Sequence, residues 1–181
     1  MNETMTLIKS RRSIRKFQDK EISKEMLDTL FQAVQWAPSW TNCQCWEVIH
    51  VIDKDLRLKI QETMIKNPAT KAIVEAPVLL ALCGKKNVSG FYDNHPATVY
   101  GDWLMFDLGI ATQNICLAAH AMGLGTVIVG LYDHVKVKDI LNVPEGYDQV
   151  VLIPVGYPAK EPSAPNRRDL TEFVHTNTFG G

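Results

Sequence analysis

The stretch from Asp102 to Met122 constrains the fold more than any other part of the chain. Its composition predicts one long helix, and Trp103, Leu104, Phe106, Leu108, Ile110, Ile115, Leu117 and Met122 fall on every side of the axis. A helix that is apolar all round has to be covered all round. The chain has 181 residues, enough for one domain with a substantial core, but small for wrapping such a helix completely. A second subunit is therefore expected over part of its surface. Gly123 is expected to end the helix as a left-handed cap.

The other elements arrange themselves around it. Ser23 is placed to cap a helix carrying Leu27, Leu30, Phe31 and Val34, which should stop near Ala37 because Pro38 disfavours helical geometry in the residue before it. Trp46–Ile52 reads as a strand. Asp53 caps a helix with Leu56, Ile60 and Met64 at intervals of four, and Asn67-Pro68 opens a short helix leading to Pro77. Val78–Cys83 is a buried strand, and Gly84–Tyr100 has no periodicity, the pattern of a lid or binding loop. Thr126–Leu131 and Gln149–Val155 are further strands, with a helix over Asp133–Leu141 between them. The remainder, with Pro158, Pro162 and Pro165, reads as an extended arm without a core of its own. Neither repeats nor a linker divide the chain, so residues 1–181 form a single α+β domain.

The charge pattern is local. With 19 basic and 20 acidic residues the net charge is −1, so no overall field draws nucleic acid or acidic membrane. Yet Arg11-Arg12-Ser13-Ile14-Arg15 carries three guanidinium groups in five residues, with no acidic residue between Thr4 and Gln18. A basic cluster is often simply solvated. The alternative is an anion site, since the guanidinium fork matches phosphate oxygens two at a time.

Other chemistry is scarce. Cys43, Cys45, Cys83 and Cys116 form neither a CxxC pair nor a zinc spacing with histidine. His50, His95, His120, His134 and His175 show no ligand spacing, and no serine lies in a GxSxG elbow. Gly123-Leu124-Gly125 fails as a dinucleotide fingerprint, because Ile128 stands where the third glycine would fall and the segment follows a helix instead of a strand. No signal peptide or membrane span is evident, and a cytoplasmic protein is expected. A reaction here would have to be carried by a bound cofactor.

Four segments resemble the FMN-dependent nitroreductases. Arg11-Arg12-Ser13-Ile14-Arg15-Lys16-Phe17 is similar to the family's opening motif. Ala37-Pro38-Ser39-Trp40-Thr41-Asn42-Cys43-Gln44-Cys45-Trp46 resembles its P-S-x-x-N-x-Q-P-W pattern, with Cys45 where the pattern has proline. Asp107–Asn114, Leu117-Ala118-Ala119 and Gly123–Thr126 are similar to its central helix and following turn. Arg167–Val174 resembles its C-terminal segment. The order and spacing agree over nearly the whole chain.

The resemblance implies a nitroreductase-like α+β fold, with a central mixed β-sheet flanked by helices and a C-terminal arm exchanged in a homodimer. It implies FMN at the subunit interface, reduced by NADH or NADPH, and a ping-pong transfer to nitroaromatics, quinones or similar small-molecule acceptors. By position, Arg11, Arg12 and Ser13 would hold the FMN phosphate, helped by Arg167 or Arg168, and Arg15 would lie at the flavin N1/O2 edge, tuning its reduced state. Pro38, Ser39, Trp40 and Asn42 would come from the other subunit. Val129 and Gly130 would line the flavin with backbone groups, one amide reaching N5. No side chain is assigned a catalytic role of its own and no metal is expected. A relative that dehalogenates, oxidises or fragments its ligand, or a flavin carrier without turnover, fits the same motifs. Gly84–Tyr100 is short beside the excursion over the flavin in larger members, so the resemblance leaves the acceptor open.

Overall fold

The computed structural model describes residues 2–181. In chain order the elements are α1 (Glu3–Ser10), α2 (Lys24–Gln35), β1 (Trp46–His50), α3 (Lys54–Glu62), α4 (Ala72–Glu75), β2 (Val78–Lys85), β3 (Phe91–Tyr92), β4 (His95–Pro96), α5 (Leu104–Ala121), β5 (Gly125–Thr126), α6 (His134–Ile140) and β6 (Tyr147–Gly156). Short 3₁₀ turns occupy Trp40–Asn42 and Leu170–Glu172. The helix starts follow from side-chain chemistry: Ser23, Asp53 and Asp133 each accept a hydrogen bond from a first-turn amide.

The sheet has strand order β1-β2-β6-β5, and every pair among these strands is antiparallel. The expected mixed character is confined to one parallel bridge, Ser13 to Thr126. Alternation of side chains across the sheet builds a core on each face. Val78, Leu80 and Leu82 of β2, with Ile153 and Val155 of β6, pack beneath α2 and α5. Leu79, Ala81 and Leu152 join Ile60, Ile73 and Val137 under α3, α4 and α6. Both faces of β2 are thus covered, which is why it reads as an unbroken apolar run. Gly84 lets α5 begin against the sheet, since a Cβ there would stand 2.4 Å from Leu104.

Two expectations are corrected. The strand expected over Thr126–Leu131 is cut to Gly125–Thr126, with one further pairing of Val129 with Leu152. That register would next pair Val127 with Pro154, which has no N–H to give. The structureless stretch Gly84–Tyr100 begins with the end of β2 and contains the small β3–β4 hairpin. α5 is not buried all round in the single chain. Leu108, Ala111, Ile115 and Ala119 are buried, while Met105 and Phe106 remain 64% and 60% exposed. Gly123, at φ +75°, does close the helix in the left-handed region. Beyond Pro158 the arm is exposed along its length, Phe179 included.

Candidate functional site

The arginine stretch is fastened to the sheet edge at its centre. α1 ends at Ser10, and Ile14 then donates its amide to the Thr126 carbonyl at 2.8 Å, placing its own side chain in the core. Gln18 N–H to Tyr157 O (2.9 Å) and Ala159 N–H to Lys16 O (3.0 Å) hold the other end. With Ile14 turned inward, its neighbours Ser13 and Arg15 are left half-buried and exposed, as strand alternation requires. Arg12 donates to the backbone carbonyls of Lys9 (2.6 Å) and Arg11 (2.9 Å), and Arg15 reaches the Ser13 carbonyl only at 3.5 Å. Among the described residues, none of the three guanidiniums makes an ion pair. Their charge is therefore available to an anion from outside.

Arg11 and Arg12 line a small cavity with Ser10, His120, Gly125 and Glu161. Ser10 gives its hydroxyl hydrogen to the Thr6 carbonyl (2.8 Å), which leaves its oxygen to accept from His120 Nε2 at 2.7 Å. Burial, then the nearby Arg11, pushes the His120 pKa below its ordinary value, with Arg12 adding to this and Glu161 opposing it.

The second part of the site is the loop after α2. Pro38 is exposed and stops that helix; Ser39 Oγ accepts from the Gln44 amide at 2.9 Å. Thr41, Asn42 and Gln44 have φ of 44°, 58° and 48°, a conformation that costs non-glycine residues energy and persists only where the surroundings enforce it. The enforcing group is Asp107, in the first turn of α5. Its carboxylate accepts from the Trp40 amide (3.2 Å to each oxygen), Ser89 Oγ (2.7 Å), Cys43 Sγ (3.6 Å) and Cys45 Sγ (3.7 Å). Burial, then the charges of Cys43 and Asp107, pushes the Cys45 thiol up to about 12. The Trp40 ring stacks obliquely on Trp103 at 5.3 Å, and its indole nitrogen is buried without a partner among the described residues.

Val129 exchanges both backbone hydrogen bonds with Leu152 (2.9 and 3.0 Å), so its amide is occupied. Gly130 is exposed, its carbonyl accepts from His134 Nε2 at 2.9 Å, and the space where a Cβ would stand is open. Among the described residues, Arg167 and Arg168 bond only within the arm, to Pro165, Asn166 and Glu172. They are not brought to the Arg11 cavity in the single chain.

A model of the Nitroreductase family matches residues 8–157. The chain belongs to that family. A relative from Methanothermobacter thermautotrophicus, named provisionally as an NADH dehydrogenase/NAD(P)H nitroreductase, is 35% identical over 172 residues, covering 93% of this chain and 82% of its own. An FMN-dependent nitroreductase structure from Clostridium difficile superposes with TM-score 0.80 at 29% identity, covering 97% of this chain and 99% of that one. The NADPH:FMN oxidoreductase of Vibrio harveyi, solved with NAD+, superposes with TM-score 0.83 at 28% identity, covering 98% and 78%.

Within this nitroreductase the structure brings Arg11, Arg12, Ser13 and Arg15 together at the sheet edge, and Ser39, Trp40 and Asn42 together on a strained loop. Sequence reasoning missed His120 beside the arginines and the anchoring role of Asp107 and Ser89. Asp107 could have been found: it is the lone acidic residue in Leu104–Ala121, and an acid inside an apolar helix needs partners.

Proposed function

We propose that this nitroreductase is an FMN-dependent NAD(P)H oxidoreductase that passes electrons to nitroaromatics, quinones or similar acceptors in two alternating half-reactions. Its standing as an NAD(P)H-dependent flavin oxidoreductase rests on family membership and on the relatives' described activities. The acceptor class and the alternation are our reading. One observation of the chain itself carries the cofactor assignment: three arginines at a sheet edge with no carboxylate partner among the described residues. A phosphate monoester, with about −1.5 to −2 charges near neutral pH, is the complementary ligand.

Bound FMN would supply the hydride- and electron-transfer chemistry. The chain's residues hold and tune it. Arg11, Arg12 and Ser13 would grip the phosphate. Arg15, whose guanidinium has only a weak backbone contact, would oppose the negative charge that collects at the N1/O2 edge on reduction. Of the pair expected to line the ring, Gly130 is the better amide donor, because Val129 already donates to Leu152. Pro38, Ser39, Trp40 and Asn42 would reach the cofactor of a second copy. Arg167 and Arg168 would likewise act across the dimer, on the partner's phosphate. A cytoplasmic setting suits four free cysteines, and no helix among the described residues is long and apolar enough to cross a membrane.

The chain has no dinucleotide fingerprint, so nicotinamide and acceptor would use the same open space beside Gly130 in turn. Initial rates measured against NAD(P)H at several fixed quinone concentrations should give parallel double-reciprocal lines. Intersecting lines would show a ternary complex and end the alternating reading.

A further inference from the structure

The redox assignment leaves Asp107 unexplained. Its carboxylate is 1% exposed, and among the described residues no lysine, arginine or histidine pairs with it. Its partners are neutral: one backbone amide, one hydroxyl and two thiols. Buried carboxylates are ordinarily paired with a cation or bound to a metal. The ligand atoms of Cys43, Cys45 and Asp107 all lie within 4.8 Å of one another.

The two sulfur–oxygen spacings match a particular coordination. In a tetrahedral site with Zn–S near 2.3 Å and Zn–O near 2.0–2.2 Å, adjacent sulfur and oxygen ligands stand about 3.5–3.7 Å apart. The Asp107 oxygen is 3.6 Å from Cys43 Sγ and 3.7 Å from Cys45 Sγ. Ser89 Oγ, itself fully buried, holds the same carboxylate at 2.7 Å, the kind of outer contact that orients metal ligands. Cys43 is half-buried, so the cluster is not wholly sealed from solvent.

We propose that Cys43, Cys45 and Asp107 bind one thiophilic divalent cation, with Zn²⁺ the best fit. On binding, the two S–H protons pass to solvent and two thiolate–metal bonds form; no electrons are exchanged. Two thiolates and a carboxylate around a divalent ion carry one net negative charge, far more tolerable in a buried site than three uncompensated anions. The ion would pin the strained Thr41–Gln44 turn to α5, fixing the loop that carries Ser39, Trp40 and Asn42. The site stands apart from the flavin reading, because none of its three ligands is assigned to the cofactor.

The test uses the full-length protein with its flavin, reduced, stripped of metal by a chelator, then incubated with Zn²⁺ and gel-filtered. Elemental analysis should find roughly one zinc per chain, and mass spectrometry should find the half-buried Cys43 alkylated without zinc and protected with it. Co²⁺ in its place should give tetrahedral ligand-field bands at wavelengths beyond the flavin absorption. Cys43→Ser and Cys45→Ser should each lower retained zinc at least tenfold, with circular dichroism reporting the fold. The alkylation result on the unmodified protein decides the matter even if a variant fails to fold. Absence of retained zinc, equal alkylation of Cys43 with and without it, or a Cys43–Cys45 disulfide persisting in reducing buffer would overturn the site.

Discussion

Arg11 stands at the carboxyl end of α1 and, among the described residues, makes no ion pair. It nonetheless acts on a neighbour: after burial, it is the largest influence holding the His120 pKa below 6.5. Removing it should have two independent effects. A charge-assisted contact to the FMN phosphate is worth about 1.5–3 kcal/mol, and at 1.4 kcal/mol per tenfold the affinity of Arg11→Ala for FMN should fall about 10- to 150-fold, read by flavin release on dilution. In the flavin-free protein, the His120 pKa should rise toward its ordinary value, read by NMR titration. The linkage has a definite sign. A histidine whose folded pKa is lowered contributes stability above its unfolded value and loses it as pH falls through the folded one. Arg11→Ala should therefore flatten the acid-side loss of stability below pH 6.5. Unchanged flavin retention would remove Arg11 from the phosphate site, whatever His120 does.

At the scale of elements, the site depends on how closely the arginine stretch lies against β5. The Ile14–Thr126 hydrogen bond sets that approach, and Gly125 permits it: a Cβ there would stand 2.4 Å from Ile14 Cγ1 and 2.7 Å from its Cβ. Gly125→Ala should push Ile14 out of the core, costing about 1–3 kcal/mol as an overpacked site does, and weaken FMN binding by displacing Arg11 and Ser13. Urea unfolding and flavin titration would measure the two losses; an unaffected flavin affinity would show that the stretch tolerates displacement. This dependence also marks where the sequence was legible. Caps at Ser23 and Asp53, the apolar run of β2 and the left-handed Gly123 announce themselves locally, because each rests on the chemistry of a few adjacent residues. The shortening of β5 did not, since it depends on Pro154, which faces it only after β6 has folded. The arginines were legible by charge alone, whereas His120 and Ser89 join the site through pairings distant in the chain. Asp107 lay between these cases, visible as an acid where only apolar residues belong, but with partners that the sequence does not name.

For the whole molecule, the decisive fact is how much apolar surface one chain leaves open. Met105 and Phe106 project from the helix that organises the core, and Leu170, Phe173, Val174 and Phe179 are exposed on an arm that packs on nothing of its own. Large apolar side chains left open in this number suit an interface, and a two-fold contact buries the same surface of both copies at once. A second copy over α5 would explain why a helix with apolar residues on all sides is stable in a chain of 20.3 kDa. The arm of each copy would then lie over the other and carry Arg167 and Arg168 to the partner's phosphate site, which neither reaches within its own chain. Light scattering at low micromolar concentration should accordingly report twice the 20.3 kDa chain mass. Truncation before Pro162 should weaken dimerisation and flavin retention together, because one segment would serve both. Arg167→Ala and Arg168→Ala, made as a pair, separate the two roles: the dimer should persist while flavin affinity falls. A flavin-loaded monomer would contradict the shared site, and a truncated chain that keeps both dimer and flavin would leave the arm without a role in either.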